Sequence, residues 1–259
     1  MRLVFSIFLI SVWLFGGGST SHASEPITLY SYYLDPPFEM GNGQGLNHEL
    51  AAYLNSRANG RFLFEAKTLP RKRLDRRVKR GDPVVLPWAN PDWFPNLKDI
   101  EHRWSSPYIR GASMVVAHAS DKREFQTPES LKGCTLAGVV GFYYPGFDEL
   151  VAKKQIKRLD FPTYDEVFRV IAARPGNCTM ASAITTTYMI RAMGLEGKVR
   201  ILDDDFDTFT RRFLLINQPP HVLDFLNETA KAMARDNAWQ KVLTRYGLRN
   251  IADRMLAQK

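Results

Sequence analysis

The segment Pro87-Trp88-Ala89-Asn90-Pro91-Asp92-Trp93-Phe94 places two prolines and three aromatic residues in eight positions. It reads as a structured loop, because proline fixes its own φ and restricts its predecessor. Aromatic rings offer large rigid faces, and an amide such as Asn90 offers direction. That is the chemistry of holding a small solute without covalent bonds. Covalent chemistry has less support. The chain contains no G-x-S-x-G elbow and no phosphate-binding glycine loop. His48 and His102 match no metal-ligand spacing with each other, and His221 stands alone beside Pro219 and Pro220. Asp35 and His118 are the candidates for an acid or base. Asp203-Asp204-Asp205-Phe206-Asp207 is the densest acidic run, yet it lacks the ligand spacing and the glycine of a calcium loop. It reads as an acidic turn, and no metal or cofactor is expected.

Cys134 and Cys178 are too far apart for a C-x-x-C redox pair and match no zinc cluster. An oxidising compartment permits a disulfide between them; two buried free thiols are the alternative. The basic run from Arg71 to Arg80 encloses Leu74 and Val78, four positions apart. It reads as a solvated helix with a thin apolar stripe. Without interleaved aromatic residues or a nucleic-acid motif, it does not read as a nucleic-acid patch.

The elements that must position these residues follow an export signal over residues 1–23. Arg2 precedes an apolar run from Leu3 to Phe15, and Ser21-His22-Ala23 has the small-x-small cleavage pattern. The run is shorter than the roughly 20 residues of a membrane span; an uncleaved anchor is the alternative reading. No cysteine stands at the cleavage point for lipid attachment. The formal charge of +8 suits anionic partners in general and names none. Hydrophobic residues at 45% exclude a disordered chain.

Short apolar runs alternate with helical patterns, which predicts α/β lobes with mostly parallel sheets. Strands are expected at Ile27–Tyr33, Phe62–Ala66, Val84–Leu86, Ala112–Ala117, Cys134–Val140, Cys178–Ala183, Val199–Leu202 and Phe213–Ile216. Leu34-Asp35-Pro36-Pro37 must turn. Leu46, Leu50, Tyr53 and Leu54 recur at helical spacing. Thr163 and Glu166 form a capping-box pattern ahead of Val167, Phe168, Ile171 and Ala172. Val222 to Met233 and Trp239 to Tyr246 supply the last helices. Cys134 and Cys178 fall near the starts of two strands; adjacency in one parallel sheet would put them within disulfide reach.

Four markers in order resemble the periplasmic solute-binding proteins of ABC transporters, in the family that includes polar amino acid binders. They are Pro36-Pro37-Phe38-Glu39 with Gly45, Ser106-Pro107-Tyr108 with Gly111, Leu131-Lys132-Gly133 before Gly138-Val139 and Gly141, and Trp239 with Tyr246-Gly247. The resemblance covers most of residues 25–250. It implies a type II-like periplasmic binding protein fold of two α/β lobes joined by two crossing strands, near 110–119 and 200–210. Lobe one would comprise 24–117 and the return over 204–259, and lobe two 118–203.

The resemblance also implies a cleft for a small-molecule solute, with an inner-membrane ABC permease or a separate receptor as partner and a monomeric, periplasmic protein. Loops at strand ends face such a cleft. Lobe one then offers Tyr32, Asp35, Phe38, Trp88, Asn90 and Trp93, the crossing Tyr108 and Arg110, and lobe two Phe142, Tyr143, Ser182 and Thr185. Arg110 is the candidate anion contact and Asp35 the candidate cation contact. Amino acid binders hold the α-carboxylate with an arginine where Trp93 stands here, and the α-ammonium with an aspartate where Ala183 stands. A ring cannot reproduce a bidentate arginine contact, so the expected solute is ring-containing or amphipathic rather than a standard amino acid. A sensor module and a cyclohexadienyl-type dehydratase are the other classes the fold admits.

Overall fold

The computed structural model describes residues 23–248. The expected export signal, Ala23 apart, lies outside them. Strand β1 (Glu25–Ser31) lies between and parallel to β2 (Phe62–Thr68) and β3 (Val84–Ala89). Every residue of β3 is buried, which suits the centre of a sheet. Pro87 interrupts it. The register with the next strand shifts between Leu86 and Ala89, and Trp88 adopts a φ of 62°. A proline inside a strand requires such an irregularity, since it donates no hydrogen bond.

Helix α1 (Leu46–Ala58) buries Leu46, Leu50, Tyr53 and Leu54, the stripe expected from their spacing. Gly45 precedes it with a φ of 116°; a Cβ there would overlap the Phe38 carbonyl. Helix α2 (Arg71–Lys79) buries only Leu74 and Val78. Its basic face is not wholly solvated. Arg71 lies over the Tyr32 and Phe94 rings and Arg77 over Tyr30. After β4 (His102–Trp104) the chain enters β5 (Ile109–His118) and crosses to the second lobe.

There, β6 (Thr135–Val139) lies between β7 (Lys157–Phe161) and β8 (Asn177–Ser182), parallel to both. Helices α3 (Phe147–Ala152), α4 (Tyr164–Ala173) and α5 (Ala183–Ala192) accompany them. Thr163 caps α4 by accepting the Glu166 N–H, as the sequence pattern predicts. Cys134 and Cys178 are joined by a disulfide, with Cα atoms 6.2 Å apart.

The return crossing differs from the expectation. In place of two short strands with an acidic turn between them, one strand of 18 residues, β9 (Val199–Ile216), runs through. β5 pairs with it antiparallel along most of its length, so the acidic segment meets a ladder and cannot fold back. The extra residues are taken up as a bulge: Ser113 faces Asp207, while Val115 faces Asp203. The Asp205 N–H donates to the Asp203 carboxylate inside it. Beyond the bulge β9 pairs with β3 and β4. One strand path, β2-β1-β3-β9-β5-β8-β6-β7, thus joins two lobes, with β5 and β9 as the crossings. Helices α6 (Pro220–Met233) and α7 (Asn237–Arg245) pack back against α1. Among the described residues no helix is long and apolar enough to cross a membrane.

Candidate functional site

The loop after β1 leads into a column of rings. Tyr32 stacks on Tyr33 at 4.6 Å between centroids, and Tyr33 stacks on Phe38 at 4.4 Å. Phe38 then meets Trp88 edge-on at 5.5 Å. Burial pushes the Tyr32 hydroxyl well above its ordinary pKa, and the neighbouring Tyr33 adds to the push. Asn47, 2% exposed, ties the column together. Its side chain accepts from the Trp88 indole at 3.1 Å and donates to the Tyr33 carbonyl at 3.4 Å.

At the centre of the column lies Arg211 from β9, 1% exposed. Nη1 donates to the Tyr33 hydroxyl at 2.6 Å and to the Trp88 carbonyl at 2.9 Å. The rings of Phe209, Tyr33, Trp93 and Phe38 lie 5.0 to 6.0 Å from the guanidinium carbon. Trp93 meets Phe209 edge-on at 4.9 Å. Gly111 on β5 admits the Phe209 ring, which would overlap any Cβ there. The sequence reading passed over Arg211, although Phe209, Arg211, Phe213 and Leu215 alternate along one strand face. The period of two marks the arginine as the charged member of an otherwise apolar row.

The second lobe faces this column. The Phe142 and Tyr164 rings meet edge-on at 5.8 Å. Burial pushes the Tyr164 hydroxyl well above its ordinary value, with Tyr144, Asp35 and Tyr33 adding to the effect. Burial likewise raises the Asp35 carboxyl, against the opposing pull of the Tyr164 backbone N–H. A lobe-one carboxyl therefore faces the N-terminus of α4, where helix N–H groups are free to receive it.

The expected contacts separate into four groups. Tyr32, Asp35, Trp93 and Phe142 are half-buried, and Asp35 faces the other lobe at the Tyr164 N–H. Phe38, Trp88, Asn90 and Tyr108 are buried with their polar atoms engaged internally. The Trp88 N–H donates to the Tyr108 hydroxyl at 3.0 Å, and Asn90 donates to the Thr210 carbonyl while capping the turn at Asp92. Ser182 caps α5, accepting from the Thr185 N–H. Arg110 and Tyr143 are exposed, and the Tyr143 hydroxyl bonds to Glu149. His118 sits at the far end of β5 with its Nδ1 against the Ser120 hydroxyl. Among the described residues no cluster of three possible metal ligands forms.

Two cavities, of about 640 and 550 Å³, flank the seam rather than its centre. Tyr188 of α5 borders both, and its hydroxyl approaches the Met40 sulfur at 3.8 Å. Neither cavity is lined by Arg211 or by its ring neighbours.

A like-charged pair lies at the bulge. Burial raises the Asp207 carboxyl, and the charge of Asp92 raises it further. A raised carboxyl means that the folded state holds the proton more tightly. Its stabilising contribution is present at low pH and is lost as pH rises through the raised value. Asp207→Asn is therefore expected to increase stability at neutral pH by about 0.5 kcal/mol, or roughly 1–2 °C. Thermal melts near about pH 3, where carboxyls are protonated, should show no gain.

No protein-family model matches the sequence, and no curated protein matches it. The fold has relatives among solved structures. An ancestral arginine-binding protein bound to arginine superposes with a TM-score of 0.66 at 15% identity, over 87% of this chain and 99% of that one. A P235GK mutant of ArgBP from T. maritima gives 0.63 at 16%, over 86% and 95%. The BvgS periplasmic domain of B. pertussis gives 0.63 at 18%, over 87% of this chain but only 43% of that one. The fold is thus that of the two-lobed periplasmic binding proteins.

Proposed function

We propose that this chain, sharing the fold of two-lobed periplasmic binding proteins, is exported and closes on a small solute held between its lobes. The observation that carries the reading is the seam itself. Asp35 from the loop after β1 faces the Tyr164 N–H at the start of α4, Tyr33 of that loop acts on the Tyr164 hydroxyl, and the Tyr188 hydroxyl of the second lobe approaches the Met40 sulfur of the first. The lobes divide at 24–117, 118–203 and 204–259. They hinge on β5 and β9, and two crossings resist twisting while permitting bending. A solute that binds the closed arrangement better shifts the lobes toward it. Tyr32, Asp35, Trp93 and Phe142 are the contacts retained from the sequence reading. With Trp93 and Ala183 where amino acid binders carry charged clamps, a standard amino acid is not the cargo.

The solute passes to an inner-membrane ABC permease from a monomeric periplasmic carrier. A second reading has a specific observation behind it: the likeness to the BvgS periplasmic domain favours a receptor-linked sensor. Native mass spectrometry of freshly purified protein, paired with small-angle scattering, tests the binding reading. A retained small molecule, and a smaller radius of gyration when it is present, are expected. No retained molecule, together with no compaction and no melting shift across a broad solute screen, would end the reading. Co-purification from membranes separates permease from receptor.

A further inference from the structure

The guanidinium of Arg211 is only half used. Nη1 makes two hydrogen bonds, both to neutral oxygens. Nε is buried and has no partner, and no hydrogen bond of Nη2 occurs among the described residues. No ion pair reaches this arginine from any described carboxylate. A buried charge without a counter-charge is costly, and rings offset only part of that cost. The Nε and Nη2 hydrogens lie parallel in one plane. This fork matches the two oxygens of a carboxylate. Nη1 is held by Tyr33 and Trp88, so the fork is oriented before anything binds.

The surroundings narrow the class. Tyr33, Trp93 and Phe209 are the half-buried rings of the cage; Tyr33 is tied to the guanidinium by its hydroxyl, while Trp93 and Phe209, edge-on to one another, make the outer wall. A flat apolar group can displace one of them and keep the stacking. Asp92 and Asp207 carry negative charge beside that wall and disfavour a dianion.

We infer that Arg211, from the crossing strand, is the anion-binding residue of this protein, and that it takes the carboxylate of a flat aromatic monoacid in its Nε/Nη2 fork. The inference rests on the two-lobed binding reading above and assigns its polar anchor. Arg110, exposed on β5, is then not the anion contact.

The test uses the mature protein with benzoate, phenylacetate, the neutral benzamide, and inorganic phosphate. At about 10 mM, benzoate or phenylacetate should raise the melting midpoint by at least about 2 °C, and benzamide and phosphate should not. Titration calorimetry should show affinity for the active acid reduced at least tenfold in Arg211→Lys, which keeps the charge but loses the fork. Arg110→Ala should bind unchanged. The wild-type comparison of acid with amide stands even where an Arg211 variant fails to fold. No shift with either acid overturns the inference, as does an equal shift with benzamide, a shift with phosphate alone, or loss of binding in Arg110→Ala with Arg211→Lys unaffected. If native mass spectrometry retains a neutral or cationic molecule, the two-lobed reading survives and this inference falls.

Discussion

Replacing both Cys134 and Cys178 with alanine is expected to lower the unfolding free energy by about 4 kcal/mol, the loop entropy released by a cross-link of this span. The link joins positions 44 apart. Its two ends are buried in a separate cluster with Leu136, Tyr144, Phe147 and Leu150. The loss should therefore fall on the second lobe. Guanidinium denaturation should show a lower midpoint in the double variant, and reductant should move the wild type to the same midpoint. Identical midpoints with and without reductant would show that the link does not form in solution. Solute affinity should change far less than stability, because neither cysteine touches the ring column.

Phe38→Ala is expected to cost about 3–5 kcal/mol, the range for truncating a large buried ring. Phe38 is fully buried between Tyr33 and Trp88, with Leu46 starting the adjacent helix. Its ring lies under the Arg211 guanidinium, 6.0 Å from the guanidinium carbon. Phe38→Leu should retain most of the stability and bind solute at near wild-type strength, because it leaves a much smaller void than alanine and loses mainly the stacking. Denaturant titration and calorimetry on the same preparations separate the two roles. A Phe38→Ala protein of undiminished stability that no longer binds would make the ring a contact instead.

The sequence displays its local rules openly, and those are the parts legible from it. The Pro36-Pro37 turn, the Leu46 to Leu54 stripe and the Thr163 cap each depend on neighbours within one helical turn, so spacing alone reveals them. The crossing at Ala112–Ala117 is legible because it is apolar but for Ser113. Strand β7 was missed because only half-buried and exposed residues form it, leaving no alternation to read. Helix α5 was missed because its threonines blur any stripe, although Ser182 marks its start. The acidic segment was misread for a different reason. Carboxylates disfavour strands in isolation, and only pairing with β5, some ninety positions earlier, keeps these extended. Arg211 had a local signal, its alternation with Phe209, Phe213 and Leu215, but the adjacent Arg212 makes it resemble an outward charge.

Arg211 and the Asp203–Asp207 bulge lie on one strand, four positions apart at their nearest. A pull on the guanidinium therefore reaches the bend through covalent bonds, with no relay of side chains between. If Arg211 anchors the solute as inferred, the anchor and the bend are the same piece of backbone. Stiffening that short stretch would dampen the response to cargo without altering a single contact made with it.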